Sequence, residues 1–372
     1  MMARSEIPEK RKICLILADL KAGGAERVIT SLANHWTDKG ADVTIITFAI
    51  PGDAAPYFQL SERVKLKQLG MPSFGRRRLG SFLYQLRRIS LLRRCLKEEN
   101  PSVIISFLRR INILTLLATR GLGIRTIVSD RNNPANDHGA DLWNRLARWL
   151  YPAAALVVFQ TKAIQETMPF IPDSRRRVIP NPITPPTRTP ASRRKKTLVA
   201  AGRLTWEKGF DDLLKAFAHL VDQHQDWSLV IYGDGPDRDK LMALRKSLGL
   251  NGQVSLPGMT QTPHGWIHEA DAFVLSSRSE GFPNALGEAM AAGLPVVACD
   301  CAYGPGDMIE PGVSGLLAPP GDPEKLAEAL RQMLSDEPLR DRLGQEAARE
   351  MARFHPKAIL SLWDQALDNF AR

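Results

Sequence analysis

The sequence predicts an α/β protein made of two doubly wound parallel-sheet domains in tandem. The chain has 372 residues, more than one hydrophobic core usually accommodates. Short β-branched runs alternate with helical periodicity, the pattern of a parallel sheet covered by helices. That alternation is completed twice, interrupted by a proline-rich stretch that fits neither period.

In the first half, strands are expected at residues 12–17, 42–48, 102–107, 124–129 and 155–159. Val178-Ile179 is a further short candidate, and helices are expected at 25–39 and about 77–97. The run Pro180-Asn181-Pro182-Ile183-Thr184-Pro185-Pro186, followed by the basic residues Arg193 to Lys196, marks a boundary. It separates a first domain, residues 1–182, from a linker at 183–196. Beyond it, strands at 197–201, 228–232, 253–256, 272–276 and 295–299 interleave with helices at 209–223, 238–248, 263–270 and 285–292. This second domain runs over 197–354. Open α/β sheets bind ligands outside the carboxyl ends of their strands, so a cleft between two such domains is the expected place for chemistry.

Apolar residues at 44% and charged residues at 24% exclude a disordered or fibrous chain. The longest apolar runs, Ile13 to Leu17, Ala153 to Phe159 and Pro295 to Ala298, are strand-length and too short to span a bilayer. Only five apolar residues follow the charged Glu9-Lys10-Arg11-Lys12, too few for a signal-peptide core, so a cytoplasmic protein is expected. Cys14 and Cys95 stand alone and Cys299 and Cys301 are too close for an ordinary disulfide, which reads as four reduced thiols. Charge is uneven. Residues 1–190 hold 30 Lys and Arg against 15 Asp and Glu, whereas 191–372 hold 20 against 25. A basic half calls for an anionic partner: nucleic acid, a phosphate-rich substrate or a lipid surface.

Three segments carry chemistry. Gly23-Gly24 open a helix after the first strand, where glycines admit a phosphate or sugar close to the backbone and free N–H groups favour an anion. Arg203 and Lys208 lie on the loop after the first strand of the second domain, a pair of cations suited to a diphosphate. The segment Ser279-Glu280-Gly281-Phe282-Pro283-Asn284-Ala285-Leu286-Gly287-Glu288 places two carboxylates eight positions apart across a loop-to-helix junction. One can face a sugar hydroxyl and the other a ribose, with the amides near Asn284, Ala285 and Leu286 directed at a diphosphate.

Together with Tyr232-Gly233-Asp234-Gly235-Pro236, Leu256-Pro257-Gly258 and Gly312-Val313-Ser314-Gly315-Leu316-Leu317, these segments resemble the retaining GT-B glycosyltransferases of family 4 over nearly the whole chain. The resemblance implies two Rossmann-like domains, with residues 355–372 forming a helix that returns to the first. It implies that Gly23 and Gly24 approach the reacting centre and that Arg203 and Lys208 neutralise the leaving diphosphate. Glu280 would contact the donor sugar and Glu288 the ribose, with Gly281, Phe282, Pro283, Asn284, Ala285 and Leu286 around the donor. Leu256 and Gly258 would flank the base through their backbone. A UDP-sugar donor is expected, with no cofactor and no metal. A hexose or N-acetylhexosamine would pass to a lipid-linked or glycan acceptor in polysaccharide or lipopolysaccharide assembly. Many relatives carry a histidine where this chain has Asp130-Arg131-Asn132-Asn133-Pro134. Asp130 then stands as either a catalytic carboxylate or a helix cap.

Asp237-Arg238-Asp239 has DxD form, but it follows a Gly-Pro turn and starts a helix, where acids suit the dipole. The seven histidines lack metal-ligand spacing. The stretch from Phe74 to Leu96 mixes Phe82, Leu83, Leu86 and Ile89 with arginines, as a basic helix lying on an anionic membrane does. That reading places the protein peripherally on the inner face of the cytoplasmic membrane; the other is a helix that packs its apolar face on the first domain and shows its arginines to water. Three rival readings are a phosphorylase or epimerase of the same fold, a catalytically silent nucleotide-sugar-binding subunit, and a nucleic-acid binder. The first would release sugar phosphate or an isomerised donor, and intact Arg203, Lys208 and Glu280 disfavour the second. The third lacks any reading motif and leaves the second domain unexplained.

Overall fold

A computed structural model describes residues 11–21, 23–52, 55–72, 81–131, 141–186, 196–262 and 264–370. The chain divides into two compact units, Met1–Asn181 with Ile359–Arg372, and Pro182–Ala358. In order, the first half contains β1 (Lys12–Leu17), α1 (Gly24–Asp38), β2 (Asp42–Thr47), β3 (Lys65–Gln68), α2 (Ser81–Glu99) and β4 (Val103–Phe107). It continues with α3 (Arg109–Thr119), β5 (Arg125–Asp130), α4 (Asp141–Leu150), β6 (Leu156–Phe159), α5 (Lys162–Glu166) and β7 (Arg176–Val178). Its seven strands form one sheet in the order β3-β2-β1-β4-β5-β6-β7, every pairing parallel. Helices cover both faces, so the central strands β1, β4 and β5 are buried beyond their first residue. All five residues of β4 are buried.

The second unit contains β8 (Lys196–Ala201), α6 (Phe210–Ala218), β9 (Trp227–Tyr232), α7 (Arg238–Ser247), β10 (Val254–Gly258) and β11 (Ala272–Leu275). There follow α8 (Asn284–Ala291), β12 (Val296–Cys299), α9 (Pro305–Met308), β13 (Leu316–Ala318), α10 (Pro323–Ser335), α11 (Glu337–Glu350) and the start of α12 (Pro356–Phe370). The parallel sheet has the order β10-β9-β8-β11-β12-β13. Alternation along β8 feeds two cores, Leu198 and Ala200 into one and Val199 into the other. Pro257 is tolerated within β10 because that strand is an edge.

The sequence reading missed β3, α3, α4, α5, α9, β13, α10 and α11. The helix expected at 263–270 is a short 3₁₀ turn, Gly265–Glu269. The basic stretch from Phe74 is described only from Ser81, and residues 73–80 lie outside the described ones. Within α2, Leu92, Cys95 and Leu96 enter the core while Phe82, Leu83 and Leu86 are exposed. Arg88, one of the arginines of that stretch, is buried with its guanidinium 4.1 Å from the centre of the Phe48 ring. Among the described residues no helix is long and apolar enough to cross a membrane.

From Ile359 onward α12 belongs to the first unit. Trp363 is fully buried there, 5.9 Å from the Phe107 ring. Asp364 accepts from Trp36 Nε1 at 2.9 Å and Lys39 Nζ at 2.7 Å, with His35 Nε2 at 3.1 Å. Burial raises the Asp364 pKa, but the bonds from His35, Lys39 and Trp36 together carry it below the ordinary carboxylate range. A depressed carboxyl stabilises the fold above its unfolded pKa of about 3.9 and loses that contribution as pH falls through the folded value. Asp364→Ala should therefore cost about 2–4 kcal/mol in urea unfolding at pH 7. The gap to wild type should narrow below about pH 4.

Candidate functional site

In the second unit, strand order reverses between β8 and β11, and the loops after those two strands lie at the switch point where α/β sheets bind ligands. The first loop carries Arg203 and, on a 3₁₀ turn at Trp206–Lys208, Lys208. The second, 276–283, carries Glu280 before α8. The two loops are laced together. Ser276 Oγ donates to the Lys208 carbonyl at 2.8 Å, and the Arg278 amide donates to the Glu207 carbonyl at 2.8 Å. The Arg278 guanidinium grips both Asp211 oxygens at 2.9 and 2.8 Å and lies 2.6 Å from Asp212. It also lies 5.2 Å from the centre of the Trp206 ring.

Glycines make this closeness possible. Gly209, at φ +61°, packs so tightly that an added Cβ would lie 2.1 Å from the Ser276 carbonyl oxygen. Gly233, at φ +142°, would place a Cβ 1.8 Å from the Gly202 oxygen. Only a residue without Cβ satisfies both constraints.

The lacing brings two of the sequence-predicted residues into direct contact. Lys208 Nζ donates to Glu280 Oε1 at 2.6 Å, and Ser277 Oγ donates to the same oxygen at 2.7 Å. Glu280 is 7% exposed. Arg203 is exposed and has no ion-pair partner among the described residues. Gly281, Phe282 and Pro283 lead into α8, whose N-terminus has no side-chain cap. Of the three amides expected to face an anion, that of Asn284 is already given to the Phe282 carbonyl at 2.9 Å. Ala285 and Leu286 supply the remaining two, within the first turn where no intrahelical carbonyl is available.

Glu288, 5% exposed, lies one turn into α8 with His264 Nδ1 3.1 Å from its Oε2. His264 holds φ +62° without being glycine, a strained position. The sequence reading left it among the scattered histidines. The Leu256 side chain belongs to the core and its carbonyl accepts from Arg238 at 2.9 Å, while the Gly258 carbonyl accepts from the Gly233 amide. These bonds occupy part of the backbone expected to meet the base. Asp237 stands at the N-cap of α7 as expected, but its carboxylate makes no cap bond and approaches Lys240 instead.

In the first unit, Gly23 and Gly24 open α1 at the carboxyl edge of the sheet. Asp130 was expected as a catalytic carboxylate or a helix cap, and residues 132–140, which it would cap, lie outside the described ones. It is the last residue of β5, fully buried, paired with Arg109 Nε at 2.9 Å and accepting from the Tyr151 hydroxyl at 2.9 Å. Burial, reinforced by that carboxylate, raises the Tyr151 pKa well above its ordinary value and keeps the phenol protonated as a donor. These bonds tie the end of β5 to the start of α3 and to Tyr151. Sequence reasoning missed Arg278, Ser277 and Asp211, although Arg278 and Ser277 flank the motif it singled out.

The family profile described as Glycosyltransferase Family 4 matches residues 22–185, and that described as Glycosyl transferases group 1 matches 187–350. The chain is 30% identical over 359 residues to a Campylobacter jejuni protein, covering 95% of this chain and 97% of the relative. That relative is the GalNAc-alpha-(1->4)-GalNAc-alpha-(1->3)-diNAcBac-PP-undecaprenol alpha-1,4-N-acetyl-D-galactosaminyltransferase. An exopolysaccharide phosphotransferase of Streptomyces coelicolor is 38% identical over 188 residues, half of this chain but only 20% of that protein's length. The crystal structure of Anabaena HepE in complex with UDP superposes with a TM-score of 0.79 at 20% identity, covering 96% of this chain and all of that one.

Proposed function

Because this chain belongs to the GT-B glycosyltransferases of family 4, we propose that it moves a hexose or N-acetylhexosamine from UDP to an acceptor on a lipid diphosphate, with retention at the anomeric carbon. The observation that carries the reading is the Lys208–Glu280 pair, held at the switch point of the second sheet beside the uncapped start of α8. Without donor, the ammonium and carboxylate neutralise one another. A donor diphosphate competes for Lys208, and Glu280, still held by Ser277, is released to accept from a sugar hydroxyl.

Arg203, Lys208 and the Ala285 and Leu286 amides then stabilise charge growing on the leaving phosphate, usually the largest catalytic contribution. Fixed cations supply here what a divalent metal supplies in other sites, so turnover is expected to persist in EDTA. The acceptor hydroxyl attacks on the face from which the diphosphate departs, and its proton passes to the leaving phosphate oxygen. Glu288 receives the ribose hydroxyls. The UDP bound in the HepE structure and the undecaprenol-linked acceptor named for the Campylobacter jejuni relative support the donor and acceptor classes. Surface-glycan or lipopolysaccharide assembly is the setting this implies.

A peripheral membrane position is supported by the exposed Phe82, Leu83 and Leu86 of α2 and by Leu142 and Trp149 of α4. They lie within a half of the chain holding 30 basic against 15 acidic residues. Apolar groups among cations suit an anionic interface.

The deciding experiment is a donor screen with UDP-glucose, UDP-galactose, UDP-N-acetylglucosamine, UDP-N-acetylgalactosamine and GDP-mannose. Nucleotide release is followed with and without a membrane lipid extract. One donor should be consumed, release should rise with lipid, and Glu280→Ala should abolish it. Absence of release with every donor, together with no donor-induced thermal shift, would overturn the reading.

A further inference from the structure

Trp206 is 61% exposed, yet its ring is held in place. Its carbonyl accepts from Arg278 Nη1 at 2.8 Å, and the same guanidinium lies 5.2 Å from the ring centre. Asp211 and Asp212 fix that guanidinium in turn. A large ring that solvent reaches and that has little freedom left to lose offers contact area to a ligand at low entropic cost.

Beside the ring lies a cavity of about 190 Å³, lined from both α6 and α7. Trp206, Leu241 and Leu244 give it apolar walls, and Asp211, Asp237 and Lys240 supply polar groups. None of Lys208, Glu280 or the residues of α8 lines it. Drug-sized ligands occupy about 300–1,000 Å³, so the space suits a single small ring.

The polar groups select the kind of ring. Asp237 is the N-cap of α7, yet its carboxylate accepts no amide of that helix and meets Lys240 Nζ at 3.3 Å. Asp211 gives each oxygen to Arg278, and the second lone pair of each oxygen remains as an acceptor. Two carboxylates against one ammonium repel an anionic ligand and accept from hydroxyl groups. A ligand with an apolar face for the indole and hydroxyls around its rim satisfies both walls and polar groups, and a neutral pyranose is such a ligand.

We propose that Trp206, Asp211, Asp237 and Lys240 bind one neutral pyranose unit of a glycan, at a site apart from the one proposed for the donor. The C–H face of the sugar lies on the indole, its hydroxyls donate to Asp211 and Asp237, and Lys240 donates to a sugar oxygen. The proposal rests on the glycosyl-transfer reading only for the source of that unit, a sugar of the acceptor or of the extended product. Held there, the glycan stays on the protein while one nucleotide is exchanged for the next.

The test is fluorine NMR of the full chain labelled with fluorotryptophan. Of the seven tryptophans, the resonance lost in Trp206→Phe is that of Trp206. Methyl glycosides of glucose, galactose, N-acetylglucosamine and N-acetylgalactosamine are the probes, together with their uronic acids. At least one neutral glycoside should shift the Trp206 resonance along a saturable curve in the millimolar range. Asp237→Ala should raise its Kd at least tenfold, the scale of a lost charged hydrogen bond. The uronic acid of the same sugar should bind several-fold more weakly than the neutral form. Glu280→Ala should change neither the shift nor the Kd. Loss of the shift in that variant would place the sugar in the donor site and overturn the proposal. A Trp206 resonance that no neutral glycoside moves overturns it too, as does equal affinity of Asp237→Ala and wild type. Should Asp237→Ala fail to fold, the uronic acid decides on wild type, with equal affinity of charged and neutral sugar against the proposal. Failure of the donor screen would leave these titrations unchanged, so the two readings fall separately.

Discussion

Lys208→Ala should lower kcat/KM for the preferred UDP-sugar by two to three orders of magnitude, about 2.7–4 kcal/mol of transition-state stabilisation. Lys208 sits on the 3₁₀ turn at 206–208, which is bonded to the β11 loop at Ser276 and Arg278. Its ammonium therefore reaches the site on a fixed support, and charge developing on the leaving phosphate meets a cation that needs no reorganisation. Ser277 continues to hold Glu280 at 2.7 Å, so removing the lysine leaves the neighbouring carboxylate in place. Steady-state kinetics separate the alternatives. A fall in kcat is expected, whereas a rise in KM at constant kcat would make Lys208 a ground-state contact only and would sink its leaving-group role.

Gly209→Ala should cost about a hundredfold in kcat although the residue has no side chain to take part in the chemistry. A non-glycine residue at φ +61° costs about 1–2 kcal/mol on conformational grounds. The greater part comes from the Cβ, which would lie 2.1 Å from the Ser276 carbonyl oxygen, a backbone atom with no rotamer to change. Either the 206–208 turn or the 276–280 loop must move, and those segments hold the two halves of the Lys208–Glu280 pair. A displacement of about 1 Å at reacting groups is enough for a loss of that size. Gly321→Ala is the control, since Gly321 has φ +73° but open space around its Cα. It should lose stability comparable to the conformational cost alone and keep full activity. Equal kinetic effects of the two substitutions would refute the steric account.

Much of the fold was legible because its strands announce themselves. Cys14, Leu15 and Ile16 in β1, or Val296 and Val297 in β12, are buried on both faces of a parallel sheet and read as unbroken apolar runs. β3 escaped notice because its Lys65-Leu66-Lys67-Gln68 is an edge strand with no fully buried residue. α3 was missed for the opposite reason. It is buried nearly all round, including Arg109 and Asn112, so it has no polar face to set its period.

The site shows the same division. Glu280 and Lys208 were visible as motif residues, but their contact depends on Gly209, Ser276 and Arg278 bringing together loops separated by 72 positions. No local pattern encodes that distance. The partners of Asp130, Arg109 and Tyr151, lie 21 positions away on either side and leave no local signal.

The first unit is assembled from two separated stretches of chain, with Ile359, Trp363, Ala366 and Leu367 of α12 inside its core. During synthesis, therefore, the half that leaves the ribosome first is the half that finishes last. Residues 182–358 can collapse into a complete core while the sheet begun at β1 still waits for the side chains that cover it. Domains generally fold in the order they are made. Here α12 reverses that order, and the apolar surface around Phe107 stays open to chaperones for as long as translation of the second unit lasts.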